Sequence, residues 1–172
     1  MAALIRTDRA WTTPGSDQSK PIRFCSRCGH PREDPPGRPG LIKERVCSRC
    51  GMGVMLTCSR DAMPGDAAAF LIVTYQLDIS AVSIAGERIF GKEETLVGRP
   101  LLEVVTSPMG DDQLTRDAGL AAQQPSDPVV MPLRVTATNR ARAVGTLAAR
   151  IATCGPPRAA LVTVEPSGFG RR

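Results

Sequence analysis

Residues 69–82, AFLIVTYQLDISAV, mark the beginning of a sheet-based fold in this 172-residue chain. β-Branched and aromatic side chains favour strands, so we predict a buried strand from Ala69 to Leu77. Asp78 suits a turn, after which Ile79 to Val82 returns as a short second strand. The stretch therefore predicts an antiparallel hairpin.

Three further strands are predicted toward the C-terminus. Apolar residues alternate or cluster in Val129 to Thr136, Gly145 to Thr153 and Arg158 to Val164. Turn-forming residues separate them at Thr138-Asn139-Arg140 and at Cys154 to Pro157. Five strands with helical turns between the second and third predict an α+β domain of about 100 residues.

The segment between the two groups of strands favours short helices. Apolar residues from Ile84 to Ile89 fall at helical spacing, and Gly91 suits the end of that turn. Glu93 to Leu96 predicts a second single turn. Asp111 to Gln124 is polar, and either a helix around Leu114 to Ala122 or a mobile loop fits it.

The pentapeptide CSRCG occurs twice, at residues 25–29 and 47–51. Its spacing, C-x2-C-x18-C-x2-C, falls within the range of four-cysteine zinc sites. Because four thiolates leave no open position for water or substrate, we expect one structural zinc ion per chain. The predicted metal ligands of this zinc ribbon are Cys25, Cys28, Cys47 and Cys50.

Other assignments for these cysteines stay open. Iron is chemically compatible with four thiolates, whereas a redox-active C-x-x-C normally occurs in a βαβ setting that this sequence lacks. Cys58 and Cys154 suit small buried hydrophobic positions, although Cys58 is close enough to replace a ligand. His30 follows Cys28 by two residues and is interpreted as a surface residue.

Composition shifts divide the chain into segments. We predict a flexible tail over residues 1–20, the zinc ribbon over 21–60 with a loop from Pro31 to Gly40, and a linker over 61–66. A second domain follows over 67–166, with a short tail at 167–172. The ribbon segment is basic, since residues 1–60 hold 11 Lys and Arg against 5 Asp and Glu.

Several classes of protein are disfavoured. The chain has one histidine and no nucleophile–base pair, phosphate-binding glycine loop or suitably spaced pair of carboxylates, so we expect no enzymatic activity. It also lacks the roughly 18 consecutive apolar residues of a membrane span, and its N-terminus lacks a signal-peptide core. We therefore expect a cytoplasmic protein without a membrane partner.

Residues 79–105, ISAVSIAGERIFGKEETLVGRPLLEVV, resemble the PAS family of sensor domains. The matching elements are Val82-Ser83 at a strand end, Ala85 to Arg88 in a short helix, Ile89-Phe90-Gly91 closing it, and the segment Leu96 to Leu101. Together with the order of the later strands, the resemblance extends over about residues 67–166.

The resemblance implies a five-stranded antiparallel sheet with short helices across one face, a cavity that binds a ligand in some members, and signalling through docking or homodimerisation. Flavin and haem are disfavoured, because Ser80 to Gly91 has no cysteine and residues 67–172 have no histidine. Ordinary core side chains are the plainer interpretation of the candidate cavity residues, which are Leu71, Val73, Ile84, Ile89, Phe90, Val97, Leu101, Val104, Leu133, Val135, Leu147 and Ile151.

Two functions follow as hypotheses. The first is a non-enzymatic signalling or regulatory protein in which a PAS-like sensor, joined to a structural zinc ribbon, acts through contacts with a protein partner. The second is a nucleic-acid-associated transcriptional regulator whose basic ribbon binds phosphates. The candidate nucleic-acid contacts are Arg27, Lys43, Arg45 and Arg49.

Overall fold

A computed structural model describes residues 21–33, 45–65, 67–136 and 145–165. Short 3-10 turns lie at Arg60–Ala62 and Gly86–Arg88, and the helices are α1 Glu93–Leu96, α2 Leu101–Val104 and α3 Asp111–Gln123. The strands are β1 Pro21–Cys25, β2 Pro31–Arg32, β3 Met55–Ser59, β4 Ala69–Val73, β5 Ile79–Val82, β6 Val105–Thr106, β7 Val129–Val135, β8 Thr146–Gly155 and β9 Ala159–Glu165.

The architecture is mixed α+β, with one antiparallel sheet and few helices. Five strands lie side by side in the order β5-β4-β9-β8-β7, and β6 pairs with the outer edge of β7. The longest pairing joins β8 to β9, from Ala148 opposite Glu165 to Cys154 opposite Ala159. The turn between them holds Pro156 and Pro157, as the sequence predicts.

The N-terminal strands continue the same sheet. β3 pairs with β1 along its length and also with the end of β8, where Thr57 lies opposite Gly155 and Cys58 opposite Cys154. The segment predicted as a zinc ribbon is therefore joined by strand pairing to the segment predicted as a sensor.

One face of the five strands packs against the helices. Along β9, Ala160, Val162 and Val164 point to this face, as Leu71 and Val73 do on β4. Leu114 and the small residues of α3 cover them, so the helices close one apolar core. We call this the helix-side core.

The opposite face is covered by the N-terminal strands. Phe70 on β4 and Leu161 on β9 pack against Phe24 on β1, and the rings of Phe24 and Phe70 meet edge to face with centroids 5.9 Å apart. We call this the shared core; its buried members are Ile22, Phe24, Leu56, Cys58, Ala62, Phe70, Ile72, Ala152, Cys154, Ala159 and Leu161. Both faces of the central strands are thus buried, which explains the unbroken apolar run of β4.

Several sequence predictions agree with these elements and others need correction. The strand that starts at Ala69 ends at Val73 rather than at Leu77. Thr74 causes this early end, because its hydroxyl accepts hydrogen bonds from the amides of Gln76 and Asp78 and holds a turn. The helix alternative for Asp111 to Gln124 is confirmed, whereas the mobile-loop alternative is wrong.

Some predicted segments are structured in part or lie elsewhere. Pro31 and Arg32, placed in a loop by the sequence, pair with β1. In the predicted linker, Ala62 is buried in the shared core. The tails at residues 1–20 and 167–172, most of the loop after Pro31 and the turn at Thr138-Asn139-Arg140 lie outside the described residues.

No helix in the described part of the chain is both long and apolar enough to cross a membrane.

Candidate metal centre

The two CSRCG segments bring four thiols together. The sulfur atoms of Cys25, Cys28, Cys47 and Cys50 all lie within 4.8 Å of one another. Cys25 and Cys50 are 3.6 Å apart, and Cys28 and Cys47 are 3.8 Å apart. A tetrahedral ion with zinc–sulfur bonds of 2.3 Å separates its sulfurs by about 3.8 Å. The arrangement could therefore hold a metal ion such as zinc.

Each CSRCG segment forms the same tight turn. The amide of Gly29 donates to the carbonyl of Cys25 at 3.0 Å, and that of Gly51 donates to the carbonyl of Cys47 at 2.9 Å. Both glycines have positive φ, at 72° and 70°, a conformation that glycine adopts without a steric penalty. The repeated sequence thus folds into two repeated turns, and each turn aims two thiols at the centre.

Backbone amides point at the sulfurs. The amides of Arg27 and Cys28 donate to Cys25 Sγ at 3.3 and 3.4 Å, and that of Gly53 donates to Cys50 Sγ at 3.4 Å. Burial opposes ionisation of Cys50, but hydrogen bonds from Met52 and Gly53 lower its pKa to about 6. Burial raises the pKa of Cys25 to about 12. A bound cation stabilises all four thiolates, because metal ligation requires the deprotonated form.

Gly53 is a site residue that the cysteine spacing does not reveal. A Cβ atom at this position would overlap Cys25 Sγ and lie 2.7 Å from the Cβ of Arg27. Only a residue without a side chain therefore fits between the two turns. The Gly-Met-Gly sequence after Cys50 shows that two glycines follow this ligand, but the local sequence does not distinguish the role of Gly53 from that of Gly51.

Arg27 connects the thiol cluster to the other half of the molecule. Its guanidinium donates to the carbonyl of Val82 at 2.8 Å and to Glu87 Oε1 at 3.0 Å, and it lies 3.3 Å from Glu93 Oε2. Its own carbonyl accepts a hydrogen bond from the amide of Ile84 at 2.8 Å. We call this set of contacts the Arg27 latch.

The carboxylates of the latch are themselves held in place. Glu93 accepts a hydrogen bond from the amide of Val82, and Glu87 accepts one from the amide of Glu93. That amide and the Arg27 guanidinium lower the pKa of Glu87 to about 2. The sequence analysis did not identify the latch residues Glu87 and Glu93, because they lie some 60 residues from Arg27 in the chain.

The sequence predicts Arg27 as a nucleic-acid contact, and in the structure its side chain is 17% exposed and ion-paired with Glu87. Arg45 and Arg49 are exposed, and Arg49 lies 2.9 Å from His30 Nδ1. Lys43 lies outside the described residues. His30 is partly exposed, and the thiol cluster does not include it.

Cys58 and Cys154 lie apart from the thiol cluster. Both are buried in the shared core, as their interpretation as small hydrophobic residues requires. Burial raises the pKa of each thiol to about 12. The structure does not support the alternative in which Cys58 replaces a metal ligand, because the thiol cluster consists of the four other cysteines.

The candidate cavity residues divide into three groups by their exposure. Ile84 and Val97 are exposed, at 43% and 49%, because each follows the end of a regular element and faces outward. Ile89 is half-buried against the helix-side core. The others are buried side chains of that core, namely Leu71, Val73, Phe90, Leu101, Val104, Leu133, Val135, Leu147 and Ile151.

No protein-family model matches this chain, and no curated protein matches it either. The resemblance to the PAS family stays a prediction that rests on the residues of the segment 79–105.

Proposed function

We propose that this protein is a non-enzymatic signalling or regulatory protein in which a PAS-like domain acts through protein contacts, with a structural zinc ion in its four-cysteine centre. The five-strand path with helices on one face supports the PAS-like assignment. Sulfur separations close to those of a tetrahedral zinc site support the metal assignment.

The observation that carries the proposal is the Arg27 latch. Arg27 lies between two metal ligands, so loss of the metal releases the backbone that positions its side chain. Its guanidinium holds the strand end at Val82 and the two carboxylates of the following helical segment. Occupancy of the metal centre is thereby coupled to the order of residues 82–93.

Partial burial gives the latch its strength. The exposed fractions of the three charged side chains are low to moderate, so water screens the ion pairs less than on an open surface. Removal of Arg27 leaves two neighbouring carboxylates facing each other without a cation, apart from the contact of Lys92 with Glu87. The segment 82–93 then loses its main attachment to the metal centre.

A contact surface lies on the outer side of the second cysteine turn. Val46 and Val54 form an isolated bridge and are both exposed, as is Met52. Arg45 and Arg49 flank them. Methionine and arginine are enriched in protein interfaces, so this composition favours docking of a protein partner.

Hydrogen exchange tests the coupling. We expect metal removal from the full chain to raise amide exchange across residues 82–93. In Arg27→Gln the same amides exchange fast even with zinc bound, and metal removal adds little. The matched control is Arg45→Gln, which changes an exposed arginine of the same module. Protection of residues 82–93 that is independent of both metal and Arg27 contradicts the proposal.

Nucleic-acid binding is the alternative that the exposure of Arg45 and Arg49 supports. Binding through these residues is electrostatic and weakens steeply as salt rises. A fluorescence titration at low salt with random-sequence duplex DNA, single-stranded DNA and RNA tests it, with Arg45→Gln/Arg49→Gln as the variant. Absence of binding to all three probes removes this alternative and leaves the proposal of protein contacts.

A further inference from the structure

A cavity lies away from the thiol cluster, where the ends of β4, β8 and β9 meet the predicted linker and the residues that follow it. Its volume is about 440 Å³. Ligand pockets usually measure about 300–1,000 Å³, so this volume suits a small molecule. We call it the junction cavity, because segments from both halves of the chain line it.

Most of the wall is apolar. Met63 comes from the N-terminal half, Leu147 and Val164 from the strands, and Ala85 and Ile89 from the turn after β5. Side chains of this kind accommodate a short hydrocarbon body.

Thr163 on β9 adds no polar contact to this cavity. It is 6% exposed and lines the cavity, but its Oγ1 atom is closed off from solvent. Its side chain leaves the sheet on the face opposite that of Val164, because neighbouring residues of a strand alternate. Arg150 on β8 lies directly opposite Thr163 and also lines the cavity. A ligand in the cavity therefore does not reach the Thr163 hydroxyl.

Among the described residues that line the cavity, the charges do not balance. Arg150 is paired with Glu165 and also donates to the carbonyl of Asp61. Arg88 lines the cavity from the other side and is exposed. Among the described residues, the ion pairs do not include Arg88. One guanidinium is therefore free to bind an anionic group.

We propose that the junction cavity binds a small carboxylate with a short apolar body. Arg88 pairs with the carboxylate, and three partly exposed side chains of the wall, Met63, Ala85 and Ile89, contact its hydrocarbon part. This inference goes beyond the proposed function. The cavity shares no residue with the thiol cluster or the Arg27 latch. Its residues Ala85, Arg88 and Ile89 lie in the segment 82–93 that the metal is proposed to order, so the cavity is tested in zinc-loaded protein.

Three probes of equal chain length separate the contribution of charge from that of apolar contact. Calorimetric titration of the zinc-loaded full chain uses octanoate, octanol and octylamine, each below its aggregation concentration. We expect saturable binding of octanoate at one site per chain. Octanol binds about tenfold or more weakly, because it lacks the charge that pairs with Arg88, and octylamine binds weakest of all.

Variants identify the site. Arg88→Gln removes the charge, weakens octanoate binding about tenfold and narrows the difference between octanoate and octanol. Thr163→Val removes only a hydroxyl that is closed off from the cavity, so it leaves octanoate affinity unchanged. The matched controls are Thr57→Val on β3 and Arg116→Gln on α3, neither of which lines the cavity. Thermal unfolding without ligand verifies that every variant folds.

The opposing results are equally definite. Octylamine binding as tightly as octanoate overturns the assignment of a carboxylate ligand. Octanoate affinity that is unchanged in Arg88→Gln overturns the location. Failure of octanoate to saturate the wild-type chain overturns the proposal as a whole.

Discussion

The helix-side core and the thiol cluster are two ways of holding a chain together. The first buries many aliphatic side chains from five strands and the helices. Around the second, the buried apolar residues are Met55 and the cysteines themselves. Burial alone stabilises the first, whereas so small an apolar cluster as the second cannot offset the entropy of ordering its turns. Our proposal therefore assigns the stability of the second to a bound ion.

The shared core modifies that contrast. Phe24 and Leu56 on the N-terminal strands are buried against Phe70 on β4. The strands β1 and β3, which flank the cysteine turns, therefore have apolar contacts that the turns themselves lack. Metal loss should accordingly affect the turns most and the anchored strands less.

The largest expected effect comes from removing a metal ligand. Cys47→Ser opens the tetrahedral site, and structural zinc contributes about 10 kcal/mol or more to the folding of small modules. We expect amide protection to be lost in residues 25–30 and 45–54 and kept in β8 and β9. Native mass spectrometry of the wild type should show one zinc per chain. A mass increment that matches iron instead would assign iron to the site.

Ser48→Ala is the control for that variant, since it changes an exposed residue of the same turn. Unchanged amide protection around both cysteine turns in Cys47→Ser would show that burial, not metal, holds the module. Loss of protection throughout the chain would show that the two halves unfold as one unit.

The next largest effect tests the shared core. Phe24→Ala removes a fully buried ring that meets Phe70 edge to face. Large-to-small changes of this kind cost about 3–5 kcal/mol. We expect denaturant unfolding of zinc-loaded protein to shift by that amount for probes in both halves. A shift confined to the cysteine module would mean that its strands are anchored only loosely.

A smaller effect separates the two glycines that follow Cys50. Gly53→Ala places a methyl group against Cys25 Sγ, and we expect metal affinity to fall about 10–100-fold, the usual range for changes next to a ligand. Gly51→Asn keeps the left-handed conformation, which asparagine tolerates, and meets open space. A competition titration with a chelator compares them. Equal affinities in the two variants would contradict the close packing at Gly53.

The smallest effect is the acid response of the Arg27 latch. The pKa of Glu87 is lowered to about 2 from 4.5, so its contribution to folding is complete above pH 4.5 and is lost as pH falls toward 2. We expect the stability difference between wild type and Glu87→Gln to shrink over this range. Because the proposed coupling also releases the latch when acid removes the metal, the metal content of both proteins is measured over the same pH range, and only samples that retain the metal are compared. A difference that stays constant from neutral pH to about pH 3 would contradict the ionised latch.

Local patterns explain which features could be predicted. The cysteine ligands follow from spacings of two residues within each turn, and the strands follow from runs of β-branched residues. The same reasoning placed Ile84 and Val97 in a cavity, because helical spacing identifies an apolar stripe but not the neighbour that covers it. It also extended the first strand through Thr74. The Thr74 hydroxyl ends the strand, because it accepts hydrogen bonds from backbone amides of the following turn.

The sequence by itself determined the four thiols, the two glycine-closed turns and the strands of the α+β domain, since each depends on residues close together in the chain. Only the tertiary structure decided that β3 pairs with the end of β8, that Arg27 holds Glu87 and Glu93, and that Met63 and Arg88 line one cavity. The physical reason is distance along the chain. Contacts between residues some 60 positions apart form only after the sheet brings them together, and no local propensity encodes them.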